Sequence, residues 1–277
     1  SSTSGSACSQ RWQFSRPNSV RVTEGMPSAY ADSAMSPPSQ KSAKPDSPTL
    51  VFVDVDNTLV KGATIFMFAI EAWKSGYIKW RHVIPALFQQ RTFIRKGESP
   101  KRVTSTRERA QTLVAGHSVA DFDRIAEVAW RRSIAPKVFP DVLEALQEHQ
   151  KQGHKVWLLT ASPQGLASVM ADDLQLSGAF GTQLMESDGK FTGEINGDLL
   201  HGPLKEERAQ AFAAEVGADL SQCYAYSDSA ADIPLLSLVG HPVAVNPDAT
   251  LLAHASHAGW PVMWPEASGR SQSGRNK

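Results

Sequence analysis

Two carboxylates stand two residues apart at the end of an apolar run, Asp54 and Asp56 in "TLVFVDVDNTLV", residues 49–60. An unpaired charge is costly to bury, so acids delivered by such a run need a metal ion, a basic partner or water. Other apolar runs also end in polar groups. "KVWLLT" at 155–160 leads into Ala161 and Ser162, which places the hydroxyls of Thr160 and Ser162 at its end. "CYAYSD" at 223–228 ends in Asp228, with Asp232 four residues later, and Lys205 opens the helical pattern "LKEERAQAFAAEVG" at 204–217. Gathered in one place, these carboxylates would repel one another, and a divalent cation would relieve the repulsion. Oxygen ligands favour Mg²⁺, which keeps several waters and joins one or two carboxylates to a phosphate. Lys205 adds a point charge, and Thr160 with its neighbouring N–H groups adds hydrogen-bond donors for an anion.

Such a gathering requires strands that end side by side. The apolar runs at 50–54, 155–160, 223–228 and 242–245 read as strands, and the patterns at 141–153, 163–176 and 204–217 read as helices. Gly153 and Gly217 can end the first and third of these helices. Strands alternating with helices predict an α/β fold, a Rossmann-like parallel sheet flanked by helices, whose ligands bind at the carboxyl ends of the strands. Asp188-Gly189 between two short runs predicts a hairpin within 182–195. Residues 64–135 read as helical throughout, with Ser118 and Asp121 spaced as a capping box. They predict an inserted small helical bundle. The core is then 49–63 with 136–265, the helical cap 64–135, and the Ser- and Pro-rich stretch 1–48 and the tail 266–277 are expected to be disordered.

The 277 residues carry 28 basic and 28 acidic side chains, so no net charge draws the chain to nucleic acid or to an anionic membrane. No apolar stretch is long enough to span a bilayer. Cys8 and Cys223 make neither a disulfide framework nor a zinc site, which suits a cytoplasmic protein, and Cys223 reads as a small buried hydrophobe. His117 and His154 have no metal-ligand spacing and read as surface residues. The aromatic side chains of the cap, Phe66, Phe68, Trp73, Tyr77, Trp80, Phe88 and Phe93, read mainly as the cap's own core.

The order DxDxT, then Thr or Ser, then Lys, then DxxxD resembles the haloacid dehalogenase superfamily of phosphohydrolases, across nearly all of residues 49–265. The resemblance implies that Asp54 is the nucleophile, forming an aspartyl-phosphate, and that Asp56 is the general acid and then the base. It implies that Lys205 is catalytic, that Mg²⁺ is held by Asp54, Asp56 through its carbonyl, and Asp228, and that Asp232 is an outer ligand or the partner of Lys205. Thr160, Ala161 and Ser162 would bind the phosphate, while Thr58 would stabilise the turn. An acid two residues after the nucleophile separates phosphatases and phosphomutases from dehalogenases and transport ATPases.

The layout looks most like the phosphoserine-phosphatase-like subfamily, with three departures. That subfamily carries a Glu nine residues after the nucleophile to bind the substrate ammonium, where this chain has Ala63. Its GDGxND motif appears here as "YSDSAAD", with Ser227 and Ala231 in place of Gly and Asn. Arg109 would match the cap Arg that grips the serine carboxylate. The expected activity is hydrolysis of a small phosphomonoester other than, or broader than, L-phosphoserine, with no nucleic-acid partner. A non-catalytic anion-binding module and a phosphomutase or phosphotransferase are the alternatives.

Overall fold

A computed structural model describes residues 47–78 and 114–265 of the chain. It begins with β1 (Leu50–Val53), α1 (Thr64–Lys74), α2 (Val119–Ala129) and α3 (Pro140–Lys151). There follow β2 (Lys155–Pro163), α4 (Gln164–Asp173), β3 (Gly178–Thr182), β4 (Leu184–Ser187) and β5 (Lys190–Ile195). The last elements are α5 (Pro203–Val216), β6 (Tyr224–Ser227), α6 (Ile233–Leu238), β7 (His241–Val245), α7 (Ala249–Ala258) and β8 (Val262–Met263).

β1 is buried along its whole length, and its side chains alternate between two cores. Val51 and Val53 enter one, Leu50 and Phe52 the other. A strand covered on both faces is an unbroken apolar run, because neither face meets water. α3 and α4 fill the first core with Val142, Leu146, Leu166 and Met170. α5, α6 and α7 fill the second with Phe212, Leu235, Leu236 and Leu251. The result is a sheet between two helical layers, with strand order β3-β2-β1-β6-β7-β8 and every pair parallel. The chain proceeds outward from β1 through β2 and β3, then returns to build β6, β7 and β8 on the other side. The direction therefore switches between β1 and β6, where open parallel sheets bind ligands.

Two strands carry no sequence signal that would have announced them. β3, "GAFGT", is broken by two glycines, and β8 has only two residues. The helix expected at 163–176 spans 164–173, because Pro163 is still in β2 and Gln175 takes a positive φ of 55° that ends the helix. The hairpin forms as β4 and β5, with positive φ at both Asp188 and Gly189, the backbone of a tight two-residue turn. Ser47, expected in the disordered extension, is tied down, donating to the Gly217 carbonyl and accepting from the Asp219 N–H.

In the segment expected to be helical, α1 and α2 are joined to the sheet by the shared first core. Phe68 of α1 packs on Phe122 of α2 with ring centroids 4.6 Å apart, and Phe122 meets Phe191 of β5 at 5.2 Å. Ser118 caps α2 by accepting from the Asp121 N–H, whereas the Asp121 side chain turns to Arg124. α2 runs on into a π-turn at Trp130–Ile134. The two passages between this segment and the sheet are paired: Lys61 donates to the Lys137 carbonyl and Phe139 to that of Leu59, each at 2.9 Å. Trp80, Phe88, Phe93 and Arg109 lie outside the described residues. Among the described residues no helix is long and apolar enough to cross a membrane.

His117 and His154 are half-buried rather than surface residues. His117 packs at a tilt on Tyr77 with centroids 4.3 Å apart, and His154 belongs to a cluster at the amino end of the sheet. There His149 of α3 holds the His154 Nδ1 at 2.9 Å and the Tyr226 hydroxyl at 2.8 Å, flanked by Tyr224. Burial, with His154 as a second cause, pushes His149 down to about 4. Its pKa when unfolded is near 6.5, so between these values the unfolded state binds more protons and stability falls as pH falls. The site carboxylates with raised pKa values act with the opposite sign, so the His149 contribution shows only as a difference. His149→Phe is expected to lose its stability deficit against wild type by about 2 kcal/mol between pH 7 and pH 4.5. Urea unfolding of both proteins at the two pH values measures it; a deficit independent of pH would contradict the assignment.

Candidate active site

The site is built where β1 and β6 end. Asp54 is the first residue past β1, and its N–H donates to the Tyr226 carbonyl at 2.9 Å, so the ladder carries on into the site. A slip of one residue in this strand would turn the carboxylate into a core, because side chains alternate faces. Asp54 is 6 % exposed, Lys205 3 % and Asp232 1 %. The Lys205 Nζ donates to Asp54 Oδ1 at 2.6 Å and to Asp232 Oδ2 at 2.7 Å, and the Ser227 hydroxyl donates to the same Asp232 oxygen at 2.7 Å. Lys205, in the first turn of α5, thus joins the end of β1 to the turn between β6 and α6. Its helix starts at Gly202 with φ 56° and ψ −126°, a conformation that side chains avoid.

Burial alone would pull the Lys205 ammonium down, but Asp54 and Asp232 outweigh it and hold the group protonated. Burial also pushes the Asp54 carboxyl up to about 6, helped by repulsion from Asp232 and Asp56 and opposed by Lys205. Asp228 is raised well above the usual carboxylate range, first by burial and then by Asp54. Burial raises Asp56 too, against the bonds it accepts from Thr64. Four carboxylates therefore meet one ammonium, and Asp232 Oδ1 is buried with no hydrogen-bond partner. This set is short of positive charge.

No three acidic, His or Cys side chains form a ready metal cage among the described residues. The expected ligand set does not need one: the carboxylates of Asp54 and Asp228 with the Asp56 carbonyl leave positions for water and phosphate, as Mg²⁺ prefers. The hard oxygens and the charge deficit fit such an ion.

Asp232 pairs with Lys205, one of its two expected roles. Thr160 is buried, and its Oγ1 accepts from the Ser162 N–H at 3.1 Å. The Ala161 carbonyl accepts from Thr182 Oγ1. Ser162, expected beside the phosphate, places its hydroxyl 2.7 Å from that of Thr64. Thr64 in turn donates from its hydroxyl and its N–H to Asp56 Oδ1, at 2.7 and 2.9 Å. Sequence reasoning missed Thr64, since one Thr at the start of a helical pattern carries no distinguishing signal. Thr58 is buried and makes no hydrogen bond from Oγ1. The turn is held instead by Asn57, which has φ 59° and whose Oδ1 accepts from the Gly62 N–H.

Residues 51–237 match the family model described as haloacid dehalogenase-like hydrolase. Phosphoserine phosphatase SerB1 of Mycobacterium tuberculosis is 38% identical over 237 residues, which cover 85% of this chain and 75% of that protein. A probable phosphatase of the same organism is 30% identical over 234 residues, with 82% and 81% covered. A protein of unknown function from Bordetella pertussis Tohama I shares the fold, with a TM-score of 0.67 at 24% identity over 78% of this chain and 98% of its own.

The buried ion triad makes a thermodynamic prediction. Lys205→Met leaves Asp54 and Asp232 facing each other without a cation, and is expected to cost about 3 kcal/mol in urea unfolding. Adding Asp232→Asn should recover part of that loss. A cost under about 1 kcal/mol would mean that the two carboxylates do not depend on the ammonium.

Proposed function

This chain belongs to the haloacid dehalogenase-like hydrolases and is a phosphatase of that family, and from that premise we propose that it is a Mg²⁺-dependent phosphomonoesterase working through an aspartyl-phosphate on Asp54. The observation that carries this reading is the pairing of Asp54 with the buried ammonium of Lys205 at the switch point of the sheet. Lys205 takes one carboxylate oxygen, Oδ1, and keeps the group ionised and oriented. Oδ2 makes no hydrogen bond among the described residues and is the attacking atom. It forms a bond to phosphorus as the bond to the leaving oxygen breaks, and Asp56 gives that oxygen its proton. Water then attacks the phosphorus, Asp56 takes the proton of the water, and Asp54 is released with inorganic phosphate. Asp54, Asp228 and the Asp56 carbonyl would hold Mg²⁺, which when bound offsets the crowded negative charge and aligns the phosphate. Thr160 lies beside the phosphate position. The segment that contains α1 and α2 would be the cap over the crevice and supply the groups that select the rest of the substrate.

The relative from M. tuberculosis is named a phosphoserine phosphatase, but Ala63 argues for a substrate other than, or broader than, phosphoserine. Ala63 is the residue before α1, extended at φ −95° and ψ 120°. Its methyl offers no charge to an ammonium, and an unpaired ammonium buried there would cost a few kcal/mol, on the order of 2.

Two experiments check the reading. Wild-type protein should hydrolyse p-nitrophenyl phosphate, lose activity with chelator and regain it with Mg²⁺, while Asp54→Asn lowers turnover by roughly 10³-fold or more. Undiminished turnover in that variant would remove Asp54 as the nucleophile. In a phosphometabolite panel, phosphoserine is expected to rank below a phosphomonoester without an α-ammonium group. Phosphoserine as the best substrate would overturn the reading of Ala63.

A further inference from the structure

The geometry points to Thr64 and Ser162 as positioning residues that set which oxygen of Asp56 carries the transferred proton. This rests on the reading of Asp56 as the proton donor. Thr64 is fully buried and Ser162 nearly so, which keeps competing water away from their hydroxyls. Both Thr64 hydrogen bonds, from N–H and from Oγ1, end on the same atom, Asp56 Oδ1. The Thr64 hydroxyl has one proton and gives it to Asp56. The 2.7 Å contact between Thr64 Oγ1 and Ser162 Oγ then requires Ser162 to donate to Thr64. The Ser162 backbone is itself held, its N–H donating to Thr160 Oγ1. The relay runs one way, Ser162 to Thr64 to Asp56.

An oxygen that already accepts two hydrogen bonds is a poor place for the carboxyl proton. The proton therefore sits on Oδ2, which makes no hydrogen bond among the described residues and can turn to a leaving oxygen. The relay joins three pieces of chain: the loop after β1, the first residue of α1 and the end of β2. Neither Thr64 nor Ser162 needs to touch the substrate for this role, and the hydroxyl of Ser162 is committed to Thr64.

Leaving groups that differ in their need for a proton separate positioning from mere packing. p-Nitrophenolate departs without protonation, whereas an alkoxide does not. Thr64→Val keeps the shape and the N–H but removes the hydroxyl. It is expected to lower kcat/KM for an alkyl phosphate by roughly tenfold or more and for p-nitrophenyl phosphate by no more than about threefold. Thr64→Ser should restore the alkyl rate, and Ser162→Ala should show the same selectivity with a smaller loss. Equal losses on both substrates, or no restoration by Ser, would overturn the inference while leaving the phosphatase reading intact. A wild type that hydrolyses neither substrate would overturn both. If Thr64→Val does not fold, Ser162→Ala alone decides between selective and equal loss.

Discussion

A lysine ammonium sealed between two carboxylates is the constraint around which this molecule is arranged. Lys205 reaches Asp54 and Asp232 from a third element, and all three groups are almost wholly buried. Buried pairs of this kind are weak evidence for stability, since the desolvation cost can match the attraction. Their value here is positional. Removing the ammonium leaves two buried carboxylates facing each other, so the end of β1, the start of α5 and the turn after β6 are held at one geometry. Nearly every other local device serves that meeting. Ser227 donates to the same Asp232 oxygen as Lys205, Gly202 permits the turn that starts the lysine helix, and the Tyr226 carbonyl extends the ladder to Asp54.

Around this triad the site remains over-supplied with negative charge. Asp56 and Asp228 raise the count of carboxylates to four, and the one unpartnered oxygen of Asp232 marks where compensation is missing. Such an excess of carboxylate oxygens suits a hard divalent cation, which would offset the charge.

The second organising feature lies between the sheet and the inserted helices. α1 starts only ten residues after Asp54, and its first residue holds Asp56, while the two connecting passages are hydrogen-bonded to each other. The Asp56 carboxylate is therefore held by the entrance of the helical segment rather than by the sheet that carries Asp54. Two carboxylates two residues apart have different surroundings because they answer to different parts of the fold, one to Lys205 and the other to Thr64.

Much of this was legible in the order of residues. The apolar run before Asp54, the alternation of strand and helix, the Asp-Gly hairpin and the sequence of Asp54, Thr160, Lys205 and Asp228 all depend on local patterning, which a single chain displays directly. The sequence also showed Ala63, a departure that bears on substrate because one missing charge is visible without coordinates. β3 and β8 were not legible, since one is broken by glycine and the other is too short for any period to appear. Nor could spacing separate the two roles open to Asp232, find Thr64, or show that the hydroxyl of Ser162 meets that of Thr64. Those assignments depend on hydrogen bonds between residues 27 and 98 positions apart, Lys205 with Asp232 and Thr64 with Ser162. By itself the sequence determined which chemical groups the protein owns and on which strand ends they stand. Only the tertiary structure decided which of these groups meet, because a hydrogen bond is settled within about 3 Å and the chain brings those atoms together only when folded.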